Sequence, residues 1–211
     1  SNANGSAVIT VTVTDDGGTA NSGAVNTTTT TFTVAVTAVN DEPGFTKGSN
    51  ITVLEDSGTS TTSGWATSIV KGPSNESGQT LAFTVSNDNN SLFSSQPAIS
   101  SSGTLTFTPA SNANGAATVT VSLSDNGGTS NGGDDTSPNQ TFTITVTAIN
   151  DAPVIDAISD PSAILEDAGS QTVNLTGIGD GDPEVAVTQG LAVTVASNNT
   201  SLIPTPTVTY A

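Results

Sequence analysis

The sequence predicts an all-β protein made of repeated antiparallel β-sandwiches, each of about seven strands. Three observations carry that expectation. The chain resembles itself at a fixed offset, its apolar residues recur at every second position, and turn-forming residues separate those stretches.

The repeat comes first. "TAVNDEP" at 37–43 returns as "TAINDAP" at 147–153, an offset of 110 residues (37 to 147). Residues 1–43 lie on 111–153 without a gap, and roughly half of the positions are identical. "SNANG" 1–5 meets "SNANG" 111–115, Asp15-Asp16-Gly17-Gly18 meets Asp125-Asn126-Gly127-Gly128, and Phe32-Thr33 meets Phe142-Thr143. The remaining half repeats as well: "LAFTVS" 81–86 meets "LAVTVA" 191–196, and "SLF" 91–93 meets "SLI" 201–203. "LED" 54–56 meets "LED" 165–167 after one extra residue. A period this long marks whole domains in series rather than the small units of a solenoid. Residues 1–42 then read as the second half of one repeat, 43–152 as a complete repeat, and 153–211 as the first part of a third.

Strands follow in order along the complete repeat. They are expected at Ile51–Leu54, Trp65–Val70, Leu81–Val85, Phe93–Ile99, Leu105–Thr108, Val119–Leu123 and Phe142–Ile149. Leu81, Phe83 and Val85 alternate with Ala82 and Thr84, and Phe142, Ile144 and Val146 alternate with threonines. Ile9, Val11 and Val13 do the same in the first segment. Period two with β-branched residues marks half-buried strands. Asn114-Gly115, Asn126-Gly127 and Ser102-Gly103 supply the turns between them. Phe83, Phe107, Val121 and Phe142 are the expected core. No window carries a helical stripe, and about seven strands in about 110 residues point to an immunoglobulin-like sandwich.

Composition narrows the chemistry. Nineteen acidic residues face only Lys47 and Lys71, a net charge of −17. Such a surface repels nucleic acid and anionic lipid and attracts cations. Without His or Cys there is no zinc site, thiol nucleophile, disulfide or Ser-His-Asp triad. No apolar run reaches the ~20 residues that span a bilayer. The adjacent carboxylates Glu55 and Asp56 sit in a polar loop, which lacks the apolar pocket that raises a catalytic acid's pKa. No enzyme is expected.

Strands of alternating direction sort the loops to two ends. One end receives Glu76 with Asp125, Asp134 and Asp135, beside the entering joint Asn40-Asp41. The other receives Glu55 and Asp56 with the exit joint Asn150-Asp151, and the next repeat brings Asp180, Asp182 and Glu184 there. Two carboxylates ~4 Å apart repel by about 4 kcal/mol at an effective dielectric near 20. A hard divalent cation removes that repulsion, and calcium takes about 6–8 oxygens from carboxylates, amides and backbone carbonyls. The competing reading is that these Asp and Asn residues only shape turns and keep the surface soluble.

The joints "NDEP" and "NDAP", with "LED" after the first strand, "SDNGG" before the last hairpin and "TLTFTP" before "NANG", resemble cadherin-like and immunoglobulin-like tandem repeats of large bacterial surface proteins and adhesins. The resemblance covers essentially the whole chain. It implies calcium between successive domains, held by an acidic residue after the first strand, the joint Asn-Asp and acidic loops of the next domain. Glu55, Asn150, Asp151, Asp180 and Asp182 stand in the matching places. The joint departs from the fuller Asp-x-Asn-Asp-Asn form, since Ala148-Ile149 precedes Asn150, which leaves metal number and affinity open. The expected function is an extracellular spacer or adhesive stalk at a bacterial cell surface. Its partners are neighbouring repeats and a surface protein or glycan target.

A rival expectation is a carbohydrate-binding module of a secreted hydrolase. It would use Trp65, between Gly64 and Ala66, as a sugar platform, with Tyr210 a poorer one. A further expectation concerns self-association. The head of one molecule would complete the tail of another, bringing Asp15 to Asp180 and Asp182.

Overall fold

The computed structural model describes residues 2–17, 27–181 and 190–209. Asp182, Glu184, Tyr210 and Gly18 lie outside the described residues. The fold is all-β. Helix among the described residues is limited to single 3-10 turns at Ser74–Glu76, Asn90–Leu92 and Ser130–Gly132.

Two strands, β1 (Gly5–Thr14) and β2 (Thr27–Val36), form an antiparallel hairpin. Nine more follow: β3 (Gly44–Thr46), β4 (Ile51–Leu54), β5 (Ser60–Thr62), β6 (Thr67–Val70), β7 (Ala82–Asn87), β8 (Phe93–Ile99), β9 (Leu105–Pro109), β10 (Gly115–Ser124) and β11 (Gln140–Thr147). One sheet has the order β4-β11-β10-β7, another β5-β9-β8, and β3 pairs with β6. The amide of Ala66 donates to Gly103 O at 3.0 Å, tying the β5–β6 connection to the turn before β9.

The expected strands are present, with shifted ends. Two details differ from expectation. The strand expected at Trp65–Val70 begins later, as β6, with Trp65 just before it, and β5 is a further strand that the expected set lacks. The pairing is not wholly antiparallel, because β4 runs parallel to β11, Ile51 opposite Ile144 through Leu54 opposite Thr147. A seven-strand path that reverses at each turn starts and ends in the same direction. Its first and last strands can therefore pair only in parallel, and the sorting of loops to two ends is unchanged.

Alternation along the strands turns one face of each sheet toward a common core. Leu105, Val119, Val121 and Ile144 are fully buried, with Phe107 and Phe142 at 1% and 3% exposed. Phe83 is only partly buried, against this cluster and edge-to-face with Phe45 at 5.1 Å. β7 is the sheet's edge strand, and an edge position leaves one flank of its residues without a neighbour.

The hairpin β1–β2 repeats the pairing of β10–β11 at the offset of the sequence. Gly5 faces Val36 and Val11 faces Thr30, as Gly115 faces Val146 and Val121 faces Gln140. Residues 191–196, whose alternation copies β7, form no strand. β7 itself pairs only with β10, and 191–196 meet no such partner strand among the described residues. Beyond Thr147 the described residues contain one isolated bridge, Val154 to Gly179. Its first member stands at the position of Gly44, which opens β3–β6.

Candidate functional site

The chain leaves β2, crosses Asn40-Asp41-Glu42-Pro43 and enters β3. Pro43 is fully buried and anchors this joint. The side chain of Asn40 is held on three sides. Its Nδ2 donates to Asp125 Oδ1 at 3.0 Å and to Asp134 O at 2.6 Å, and its Oδ1 accepts from Gln79 Nε2. Its backbone carbonyl accepts Asp134 N–H at 3.0 Å. Only glycine fits beside it, because a Cβ on Gly127 would stand 1.9 Å from Asn40 Oδ1. The joint is thus a plug set into the loop between β10 and β11.

Glu76 reaches the same joint from the loop between β6 and β7. Pro73 starts the 3-10 turn there, and Glu76 N–H closes it on Pro73 O at 3.0 Å. The carboxylate is 5% exposed, and its Oε1 accepts Asp41 N–H at 2.9 Å. Its Oε2 has no partner. Gly72, at φ +115°, leaves room for that oxygen, since a Cβ would come within 2.0 Å of it. Asp125 Oδ1 accepts from Asn40 and from Gly127 N–H at 2.7 Å, while its Oδ2 is buried without a partner. Gln79 Oε1 is likewise buried and unpaired. Three buried oxygens, two of them on carboxylates, therefore lack donors at one joint. Native structures rarely leave such groups unsatisfied, and an ion or water is the usual explanation. The neighbouring Lys71 does not neutralise them, because its ammonium donates to Ser77 O at 2.8 Å.

The exit joint is built on Glu55. Its backbone N–H continues the β4–β11 ladder to Thr147 O at 3.0 Å. Its side chain, 1% exposed, accepts Ile149 N–H on Oε1 at 2.7 Å and leaves Oε2 without a partner. Asp151 Oδ2 is also buried and unpaired. Asn150, Asp151 and Asp180 line one cleft. Gly181, at φ +77°, packs against the joint closely enough that a Cβ would stand 1.9 Å from Ala152 O. Among the described residues, Asn150 donates locally, to Asp151 O at 3.0 Å.

The structure therefore brings Asn40, Asp41, Glu76 and Asp125 together at one joint, and Asn150, Asp151 and Asp180 at the other, where Glu55 binds the adjoining backbone. It separates three expected ligands from these sets. Asp56 is exposed on a turn at φ 53°. The Asp134 carboxylate accepts Thr136 N–H at 3.1 Å, and Asp135 accepts Thr136 Oγ1–H at 3.0 Å. Asp134 serves the joint through its backbone alone. Among the described residues no three carboxylates gather to hold a metal by themselves. A cation at the first joint would draw on Glu76 and Asp125 together with the amide oxygen of Gln79, a mixed hard-oxygen set of the kind calcium accepts.

Sequence reading missed Gln79. Its signal was there, as Gln79 and Gln189 are identical at the repeat offset. Trp65 is 4% exposed, donates Nε1–H to Ser49 O at 3.0 Å and packs on Phe142 with ring centroids 4.3 Å apart. It offers no face to a sugar. No family model matches this sequence, and neither does any curated protein.

Proposed function

We propose that this chain is a segment of an extracellular repeat protein, a spacer or adhesive stalk of a bacterial surface, whose inter-repeat joints are stiffened by calcium. The observation that carries the reading is the same at both joints. A buried glutamate binds the joint backbone through one oxygen, and its second oxygen has no donor. A purely structural carboxylate would be expected to use both. On this reading 43–152 is one immunoglobulin-like repeat, with β3/β4 as its first strand and β5/β6 as its second. Glu76, Asp125, Gln79 and the Asn40-Asp41 backbone hold one cation. Glu55, Asp151 and Asp180 contribute to another.

The test is thermal unfolding in millimolar calcium against EDTA. Free calcium at ~100 times Kd adds about 2.7 kcal/mol per site. The expected outcome is a higher Tm in calcium, with Glu76→Gln reducing the difference. Superimposable melting curves in the two buffers would falsify the calcium reading and leave a metal-free array.

A further inference from the structure

The carboxamide of Asn40 is used to its limit. A primary amide offers two N–H donors and one carbonyl oxygen. Both Asn40 donors are spent, one on Asp125 Oδ1 and one on Asp134 O. What Asn40 turns to Gln79 is its oxygen, so Gln79 has to answer with its NH2 group. This settles the two ends of the Gln79 side chain. Nε2 holds Asn40, and Oε1 is the buried oxygen without a donor.

Backbone bonds keep Gln79 in that place. Its N–H donates to Glu76 O at 3.0 Å, within the same loop as the glutamate whose Oε2 is also unpaired. The N–H of Thr80 donates to Asn126 Oδ1 at 2.9 Å and fastens the β6–β7 loop to the β10–β11 loop. One conjugated group therefore carries the grip on Asn40 at one end and an unpaired buried oxygen at the other.

We infer that Gln79 couples cation binding to the seating of Asn40, an inference that rests on the calcium site proposed above. A cation on Oε1 draws electrons from the amide and makes its N–H a stronger donor, so the bond to Asn40 tightens. Asp125 acts with the opposite sign. Its Oδ1 accepts from Asn40, and its Oδ2 is the unpaired atom. A cation on Oδ2 takes charge from the carboxylate and leaves Oδ1 a poorer acceptor. Glu76 binds Asp41 rather than Asn40. Of the three unpaired oxygens at this joint, the one on Gln79 is thus the one whose occupation strengthens the seat. Coupling is reciprocal, so a seated Asn40 raises calcium affinity by the same factor. Gln79 also moderates that affinity, because it supplies a neutral oxygen where a carboxylate would supply charge.

The experiment is an NMR titration of the full chain from EDTA into saturating calcium chloride. The side-chain carboxyl carbon of Glu76 reports occupation of the joint. Exchange of Asp134 N–H, which donates to Asn40 O, reports the seat. Thr118 N–H, which donates to Asp88, is the reference that removes any general gain in stability. In the wild type, calcium is expected to shift the Glu76 signal and to slow Asp134 about fivefold or more relative to Thr118. Gln79→Met keeps the side-chain length and removes both ends of the amide. Its Glu76 signal should shift at higher calcium, with the slowing at Asp134 lost. Gln79→Glu should bring the Glu76 midpoint to lower calcium. Circular dichroism checks that both variants fold, and the wild-type comparison needs neither. Equal slowing of Asp134 in Gln79→Met and wild type overturns the inference and leaves the calcium site standing. A wild type whose Glu76 signal shifts while Asp134 keeps pace with Thr118 does the same. A Glu76 signal that ignores calcium in the wild type overturns the site itself, and the inference with it.

Discussion

At the scale of single residues, burial decides what each side chain contributes. Phe142 packs on Trp65 in the centre of the core, and Phe83 sits half-buried on an edge strand. Phe142→Ala is expected to cost about 3–5 kcal/mol. Phe83→Ala costs less, because less surface is returned to water. Urea unfolding of the two variants measures both, and equal losses would contradict that difference in burial. Asp88 provides a separate check. Its carboxylate accepts Thr118 N–H at 2.7 Å, and that backbone bond holds its pKa below the ordinary 3.8. A depressed carboxylate stabilises the fold above its unfolded pKa and loses that contribution as pH falls through the folded value. The expected NMR titration midpoint for Asp88 is below 3.8, and Thr118→Pro, which removes the N–H donor, returns it toward that value. Phe107, Val121 and Phe142 were legible as core from alternation alone. The half-burial of Phe83 was not, since alternation gives the face of a strand and not its place in a sheet.

Among the elements, legibility followed the strength of the two-residue period. β8 and β9 lie where the sequence puts them because Phe93–Ile99 and Leu105–Pro109 are bounded by strong turn signals. β5 is Ser60-Thr61-Thr62, polar throughout, and gives no alternation to read. β3 is three residues long and is fixed by pairing with β6 rather than by its own pattern. The parallel β4–β11 pair is likewise a consequence of topology. Sheet position also sets local stability. β10 is hydrogen-bonded on both sides, by β11 and β7, while β4 is a four-residue edge. Local openings start at such edges. In hydrogen–deuterium exchange, peptides covering β10 should outlast those covering β4, and the reverse ranking would refute the order β4-β11-β10-β7.

For the whole molecule, the governing feature is charge. With a net charge of −17, the chain repels itself, and carboxylates at the joints add to that locally. On the proposed reading, calcium at the joints would remove local charge and bridge oxygens from adjoining segments. The difference in melting between calcium and EDTA should therefore come with a change in shape. Small-angle scattering in calcium is expected to show a narrower distribution of interdomain distances and a longer maximum dimension than in EDTA. An unchanged profile would separate a stabilising cation from a stiffening one, and would remove the stalk mechanism.

The sequence by itself determined the repeat, the all-β class and the collection of acidic residues at two joints, because period, alternation and turn residues are local properties of a chain. Tertiary structure alone decided which of those carboxylates are buried with an oxygen left unpaired. Glu55, Glu76, Asp125 and Asp151 keep an unpaired buried oxygen, while Asp134 and Asp135 turn back on Thr136 and Asp56 faces solvent. It also decided that Ile9, Val11 and Phe32 stand open while Val119, Val121 and Phe142 are covered, though the pattern of the two hairpins is the same. Burial is a relation between distant parts of the chain, and a pattern of side chains states only the face that seeks it.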